Sequence, residues 1–273
     1  MLRVKRPLMN VDDRRIQRQV WLVPVVALAL YGGLRLWVGP LPQDPTYHVF
    51  ADTRTCFDFL PHAGDVLTNL AMLAGGLFGL ALRKSFALAP DERRAADVLI
   101  AGAILTACGS AYYHWAPSNT TIVWDRLPMT LVFTSVLVLV IADRVHPLFA
   151  RYALWPFTLF GAASVLLWGL SEAMGQGDLG LYLIVRIGSV SAIALLLILR
   201  EARHSGTKWL VAALVCEIAL AVFERLDHEV FFWSGDLVSG HNLKHVTAGL
   251  ALAFVFWWLR VRRPMRPKIS APG

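Results

Sequence analysis

The sequence is poor in charge. Asp, Glu, Lys and Arg together make up 16% of its 273 residues, against about 25% in soluble domains. Apolar residues reach 56% before the 20 glycines are added, and mean hydropathy is +0.54. This excludes a disordered chain, which needs low hydrophobicity and high charge, and argues against a soluble globular enzyme. Cysteine is scarce as well. Cys56, Cys108 and Cys216 form neither an even disulfide framework nor a Cys-x-x-Cys thiolate knuckle. Segments of alternating polarity, which an outer-membrane barrel requires, are missing. The net charge of +7 comes without a basic patch interleaved with aromatics, so nucleic acid is not an expected partner.

What is present is a set of long apolar runs. Read with a window of about 20 residues, the length that crosses a bilayer, the chain breaks into eight. They cover 20–39, 64–82, 95–115, 121–142, 152–171, 179–199, 207–225 and 242–260. The expected fold class is therefore all-α, a polytopic transmembrane helix bundle of eight spans. The N-terminus, three loops (around Arg83–Arg94, Arg144–Arg151 and Arg200–Lys208) and the C-terminal tail hold 20 of the 26 Lys and Arg residues. The opposite side has four: Arg54, Arg126, Arg225 and Lys244. By the positive-inside rule both termini are expected in the cytoplasm. The first run also admits reading as a signal peptide with Ala27-Leu28-Ala29 as cleavage site, which would leave the downstream orientation unchanged. Trp21, Trp37, Trp233, Trp257 and Trp258 read as an interfacial belt.

The outer face concentrates the chemistry-bearing residues, with 11 of 19 acids and six of eight histidines. Ser110 and His114 stand at i, i+4 at the outer end of the third run, on one helical face. Asp125 opens the fourth run after a short loop. His241 and His245, again i, i+4, open the last, a spacing that lets two imidazoles face one ion. Each has a plainer reading taken alone: Asp125 as a helix N-cap, Ser110 as a donor to the carbonyl one turn back, His48, His62 and His228 as interfacial residues. Together they place three imidazoles, a carboxylate and a hydroxyl at one depth, where ionisable groups are costly to bury. Three imidazoles with an open fourth position form a catalytic zinc set. Asp125 would then deprotonate the attacking water, and Ser110 would donate to the oxyanion.

At these residues the sequence resembles the alkaline ceramidase family, most closely its bacterial members. The superfamily of seven-helix membrane hydrolases also holds the adiponectin-receptor proteins and the lipid-remodelling hydrolases of GPI-anchor maturation. The family pattern of Ser-x-x-x-His, then Asp, then His-x-x-x-His is matched by Ser110 and His114, Asp125 within DRLPM, and His241 and His245 within SGHNLKH. The match runs from YHVFADTR (Tyr47 to Arg54) and TNLAMLAGGLFGL (Thr68 to Leu80) to the last segment. The resemblance implies a zinc-dependent hydrolase cleaving the amide bond of ceramide-like lipids to fatty acid and sphingoid base. It divides the chain into a basic tail, extra helix and outer loop (1–63), a seven-helix ceramidase-like domain (64–260) and a basic cytoplasmic tail (261–273). The animal members carry calcium in an acidic stretch before their first helix. Here Asp52, Asp58 and Asp65 are the scattered acids in that region, and Ca2+ stays unassigned.

Two further groups are expected to matter. Arg186 and Glu217 lie at similar depths, about 9 and 12 Å below the outer ends of their segments at ~1.5 Å per residue, and are expected to form an intramembrane ion pair that acts as structural glue or as a substrate contact. Glu224 and Asp227 are placed to hydrogen-bond a zinc-bound imidazole. The competing functions are an esterase-type lipid-remodelling hydrolase with the same site, a receptor or sensor with a structural three-histidine site, and a transporter. Transport is disfavoured because the polar residues gather near one face and no matched broken half-helices occur at the midplane. The expected location is the bacterial inner membrane with the site towards the periplasm. Oligomeric state is not legible.

Overall fold

The computed structural model describes residues 11–265. Arg3, Lys5, Arg6, Arg266 and Lys268, counted in the charge pattern, lie outside the described residues. Ten α-helices follow one another: α1 (Val11–Val38), α2 (Ala63–Leu82), α3 (Pro90–Trp115), α4 (Ile122–Arg144), α5 (Leu148–Tyr152), α6 (Leu154–Ala173), α7 (Gly180–Leu199), α8 (Thr207–Arg225), α9 (Asp227–Trp233) and α10 (Gly240–Val261). Among the described residues there is no β-strand, only isolated bridges at Cys56–Leu60 and His204–Pro264. Six helices, α1, α2, α3, α4, α6 and α7, are long and apolar enough to cross a membrane. The other two long helices, α8 and α10, interrupt their apolar runs with Glu217 and Glu224, and with His241, Lys244 and His245.

The eight long helices coincide with the eight apolar runs, and the starts of α3 and α10 are set by caps rather than by where hydrophobicity begins. Pro90 starts α3 where an N–H would be unsatisfied anyway, and Glu92 Oε2 accepts from the Ala89 amide at 3.0 Å. This extends the helix five residues before the apolar run. Ser239 caps α10: its Oγ accepts from Asn242 N at 3.0 Å, and Asn242 Oδ1 accepts from Ser239 N at 3.1 Å. The reciprocal pair satisfies two otherwise orphaned donors. The short helices α5 and α9 have too few residues to show as periodic runs.

Neighbours in sequence pack as neighbours in space, α2 with α3 and α3 with α4, while α10 closes the bundle against α2 and α8. Helix α1 lies outside this set and contacts α5, α6 and α7. It is tied at one end by Tyr31 and Arg35, which reach Asp178 at 2.9 and 3.0 Å, and at the other by Tyr152 donating to Asp13. The described chain starts and ends at the same end of the bundle: Met265 N donates to the Arg203 carbonyl and Arg203 N to that of Asp143 beside α5, where Tyr152 holds Asp13. That end holds the basic loops and two buried ion pairs, Arg144 with Asp143 at 3.2 Å and Arg262 with Glu92 at 2.7 Å. Arg262 stacks over Trp258, and both are buried. Trp258 is therefore part of the core and not of an interfacial belt, and the tail's first arginine is locked in place.

Candidate metal centre and cavity

At the opposite end, two helix termini bring the three histidines together. His114 closes α3, His241 and His245 share one face of α10, and all three side chains are buried. Their ring nitrogens lie within 4.8 Å of one another, a group able to hold a metal ion. Ring centroids are 4.6, 4.9 and 4.9 Å apart. The Nε2 atoms of His114 and His241 face each other at 3.2 Å. An ion held tetrahedrally by nitrogens at about 2.0–2.1 Å needs its ligands about 3.3 Å apart, so this pair already has the required spacing.

Thr68 fixes the tautomer of His245. Its hydroxyl donates to the Gly64 carbonyl at 2.7 Å, so its oxygen accepts from His245 Nδ1 at 3.0 Å. The proton is thereby held on Nδ1 and the Nε2 lone pair is free for an ion, the usual role of a partner behind a ligating imidazole. His114 Nδ1 has no partner. Phe50, buried, covers the cluster with its ring 4.6 Å from His114 and 5.0 Å from His241. Replacing Thr68 by valine keeps the shape and removes the acceptor. Metal affinity is expected to fall about 10–100-fold, read by competition with a chelator; an unchanged affinity would remove Thr68 from the site.

Two glycines permit the close approaches that assemble this end. A Cβ on Gly109 would strike the Trp124 carbonyl, and one on Gly240 would strike the Phe223 carbonyl and the Asp227 backbone. The first contact lets α3 and α4 touch backbone to backbone beside Ser110 and Asp125, which lie within electrostatic reach of each other. The second seats the α10 N-terminus on the α8–α9 corner. There Asp227 accepts from the backbone amides of His241 at 2.7 Å and Ala51 at 3.0 Å.

The supporting carboxylates take roles other than those expected. Asp227 positions the His241 backbone and does not bond an imidazole. Glu224 accepts from Lys244 Nζ at 2.6 Å and the Tyr47 hydroxyl at 2.7 Å. Burial pushes the Tyr47 phenol up, which keeps it a donor. Arg186 makes its contact within 4.0 Å with Glu224, at 3.9 Å, while Glu217 lies farther away but still interacts with it electrostatically. The correction has a physical reason: a long arginine side chain extends towards the polar end of the helix, where Glu224 already gathers Lys244 and Tyr47.

The three acids considered for calcium do not form one site. Asp52 is fully buried and engaged on both oxygens by Arg54, at 2.7 and 2.6 Å. Arg54 also donates to the carbonyls of Asp236 and Leu237. Asp65 accepts from Asn242 Nδ2 at 2.6 Å and keeps one oxygen unpartnered. Asp58 sits on an exposed turn with left-handed backbone, φ 59°. A protein cation neutralises Asp52, and Asp58 is remote, so this set does not fit calcium. His48, His62 and His228 bond Tyr113, the Asp52 carbonyl and the Val49 carbonyl. They hold the 45–62 segment over the site and stand outside the metal group.

From this polar end a cavity runs into the bundle between α2, α3, α4, α7, α8 and α10, with about 1180 Å³ free of protein atoms, its mouth included. Ser110, Asp125, Lys244 and His245 line its polar end, and Val136, Ile193, Leu210 and Val255 its apolar one. Val136 is about 16 Å along α4 from Asp125 at ~1.5 Å per residue. An apolar slot with a few convergent polar groups at one end is the usual form of a small-molecule site. Thr68, Phe50, Tyr47 and Arg126 have no catalytic spacing in the sequence, although all four fall in the segments YHVFADTR, TNLAMLAGGLFGL and DRLPM that carry the resemblance. No protein-family model, curated protein or solved structure matches the chain.

Proposed function

We propose that the protein is a zinc-dependent membrane amide hydrolase that cleaves N-acyl lipids of the ceramide type to fatty acid and amine. It spans the bacterial inner membrane eight times with both termini cytoplasmic, and the site faces the periplasm. One observation carries the reading: three buried imidazoles converge beside Ser110 and Asp125 at the mouth of a long apolar cavity. The resemblance of the Ser110–His114, Asp125 and His241–His245 motifs to the alkaline ceramidases supports the same assignment, and the basic loops among the described residues, at the end away from the site, support the orientation.

The donor set fits zinc, which prefers four ligands and takes neutral imidazole at about 2.0–2.1 Å. When bound, zinc lowers the pKa of a coordinated water and polarises the amide carbonyl. Asp125 takes the proton of the attacking water as its oxygen bonds the carbonyl carbon, and returns it to the nitrogen as the C–N bond breaks. Ser110, at the polar end of the cavity with Asp125, is the hydroxyl donor for the developing oxyanion. The apolar cavity takes the acyl chain, and Phe50 limits water at the imidazoles.

Purified protein is expected to carry about one zinc per chain, as an open three-histidine site would, and to release fatty acid from a panel of ceramides. A folded protein that takes up no zinc, or a zinc-loaded one inactive on every N-acyl lipid, would overturn the proposal.

A further inference from the structure

Arg126 is a buried cation without an ion pair. Three arginines are nine-tenths buried or more: Arg126, Arg144 and Arg262, with 6%, 7% and 1% exposure. Arg144 and Arg262 each have a carboxylate, Asp143 and Glu92. Among the described residues Arg126 has none within 4.0 Å, and its Nη1 has no hydrogen-bond partner. Of the carboxylates at this end, Glu224 is taken by Lys244, Tyr47 and Arg186, and Asp125, next in sequence, acts on Arg126 only from beyond 4.0 Å. An unpaired buried charge is costly, yet the surroundings are built to hold it. The guanidinium lies 4.5 Å from the ring centroid of Trp168, 5.3 Å from Tyr182 and 5.4 Å from Tyr47. Such faces partly offset desolvation and fix the plane of the group without consuming its donors. Arg126 also lines the polar end of the cavity, next in sequence to Asp125.

We infer that Arg126 is an anchor for a carboxylate borne by an amphiphile in the cavity. A planar fork of N–H donors matches a carboxylate in two-point geometry, which a lysine would not. The inference rests on the reading of the cavity as a lipid site and narrows its substrate class. The carboxylate has two sources: the headgroup of an N-acyl amino acid, or the fatty acid that amide cleavage releases.

Two arms of one experiment on the zinc-loaded protein separate them. The first compares hydrolysis of an N-acylglycine and an N-acylethanolamine with the same acyl chain. The second measures direct binding of the fatty acid against the corresponding fatty alcohol, and so stands even if the amidase reading falls. We expect a preference for the carboxylate of about tenfold or more in at least one arm, the scale of a hydrogen bond to a charged group. Arg126→Gln should bring that ratio close to one, with zinc content measured in parallel. Preference in the first arm assigns the headgroup; preference in the second alone assigns the product. Should Arg126→Gln fail to fold, Arg126→Lys, which keeps charge but loses the fork, should lower the ratio. Equal handling of acid and neutral lipids by wild type in both arms, or a preference that survives Arg126→Gln, would overturn the inference.

Discussion

His241→Ala is expected to leave a folded protein that no longer retains metal. The imidazole removed faces His114 Nε2 at 3.2 Å, and the two histidines left behind cannot close a three-ligand set. The loss should exceed the about 10–100-fold that a hydrogen-bonding partner behind a ligand is worth. The fold should survive because the contacts that seat α10 here are made by the backbone and by neighbours. Asp227 bonds the His241 amide, which alanine keeps. The Ser239–Asn242 cap is untouched. Metal analysis after gel filtration, beside a helical signal by circular dichroism, checks both halves. The melting temperature should fall only by what the bound ion contributes through mass action. An alanine variant that keeps stoichiometric metal would show that the three imidazoles do not share an ion.

Asp125→Asn should have the opposite profile, with metal retained and turnover lost. Asparagine matches aspartate in shape, so the α3–α4 approach at Gly109 is preserved. It cannot take a proton from water at neutral pH. Loss of a positioned general base typically costs 10²–10⁴-fold, and a fall of about that size in kcat with zinc content unchanged is the expected result. A variant at full rate would remove Asp125 from the chemistry. One that loses rate and zinc together would make it a structural support of the metal group.

Much of this was legible because it is local. A run of about 20 apolar residues must hydrogen-bond its backbone internally in lipid, so composition and length already imply the helices. Spacing of i, i+4 puts Ser110 over His114 and His241 over His245 whatever the helices later pack against. Depth along a helix follows from its rise, which is why the five site residues fall at one level.

Lateral neighbours are not local, and the misassigned residues are all of that kind. Arg186 and Glu217 match in depth, yet the arginine turns to Glu224 because Lys244 and Tyr47 gather there. Asp52, Asp58 and Asp65 are close in sequence, yet Arg54 claims the first and a left-handed turn carries off the second. Phe50 and Thr68 come from segments with no catalytic spacing and meet the imidazoles only through packing of the 45–62 segment and α2. In the sequence Arg126 is one of four basic residues on the outer side; in the structure its helix sets it among three aromatic rings from other segments. Membrane class, helix positions and the level of the site follow from the chain itself, since they depend on backbone geometry and hydropathy within each segment. Which charges pair, which proton a histidine carries and which cation is left without a partner follow only from how the segments pack, since those depend on side chains far apart in sequence.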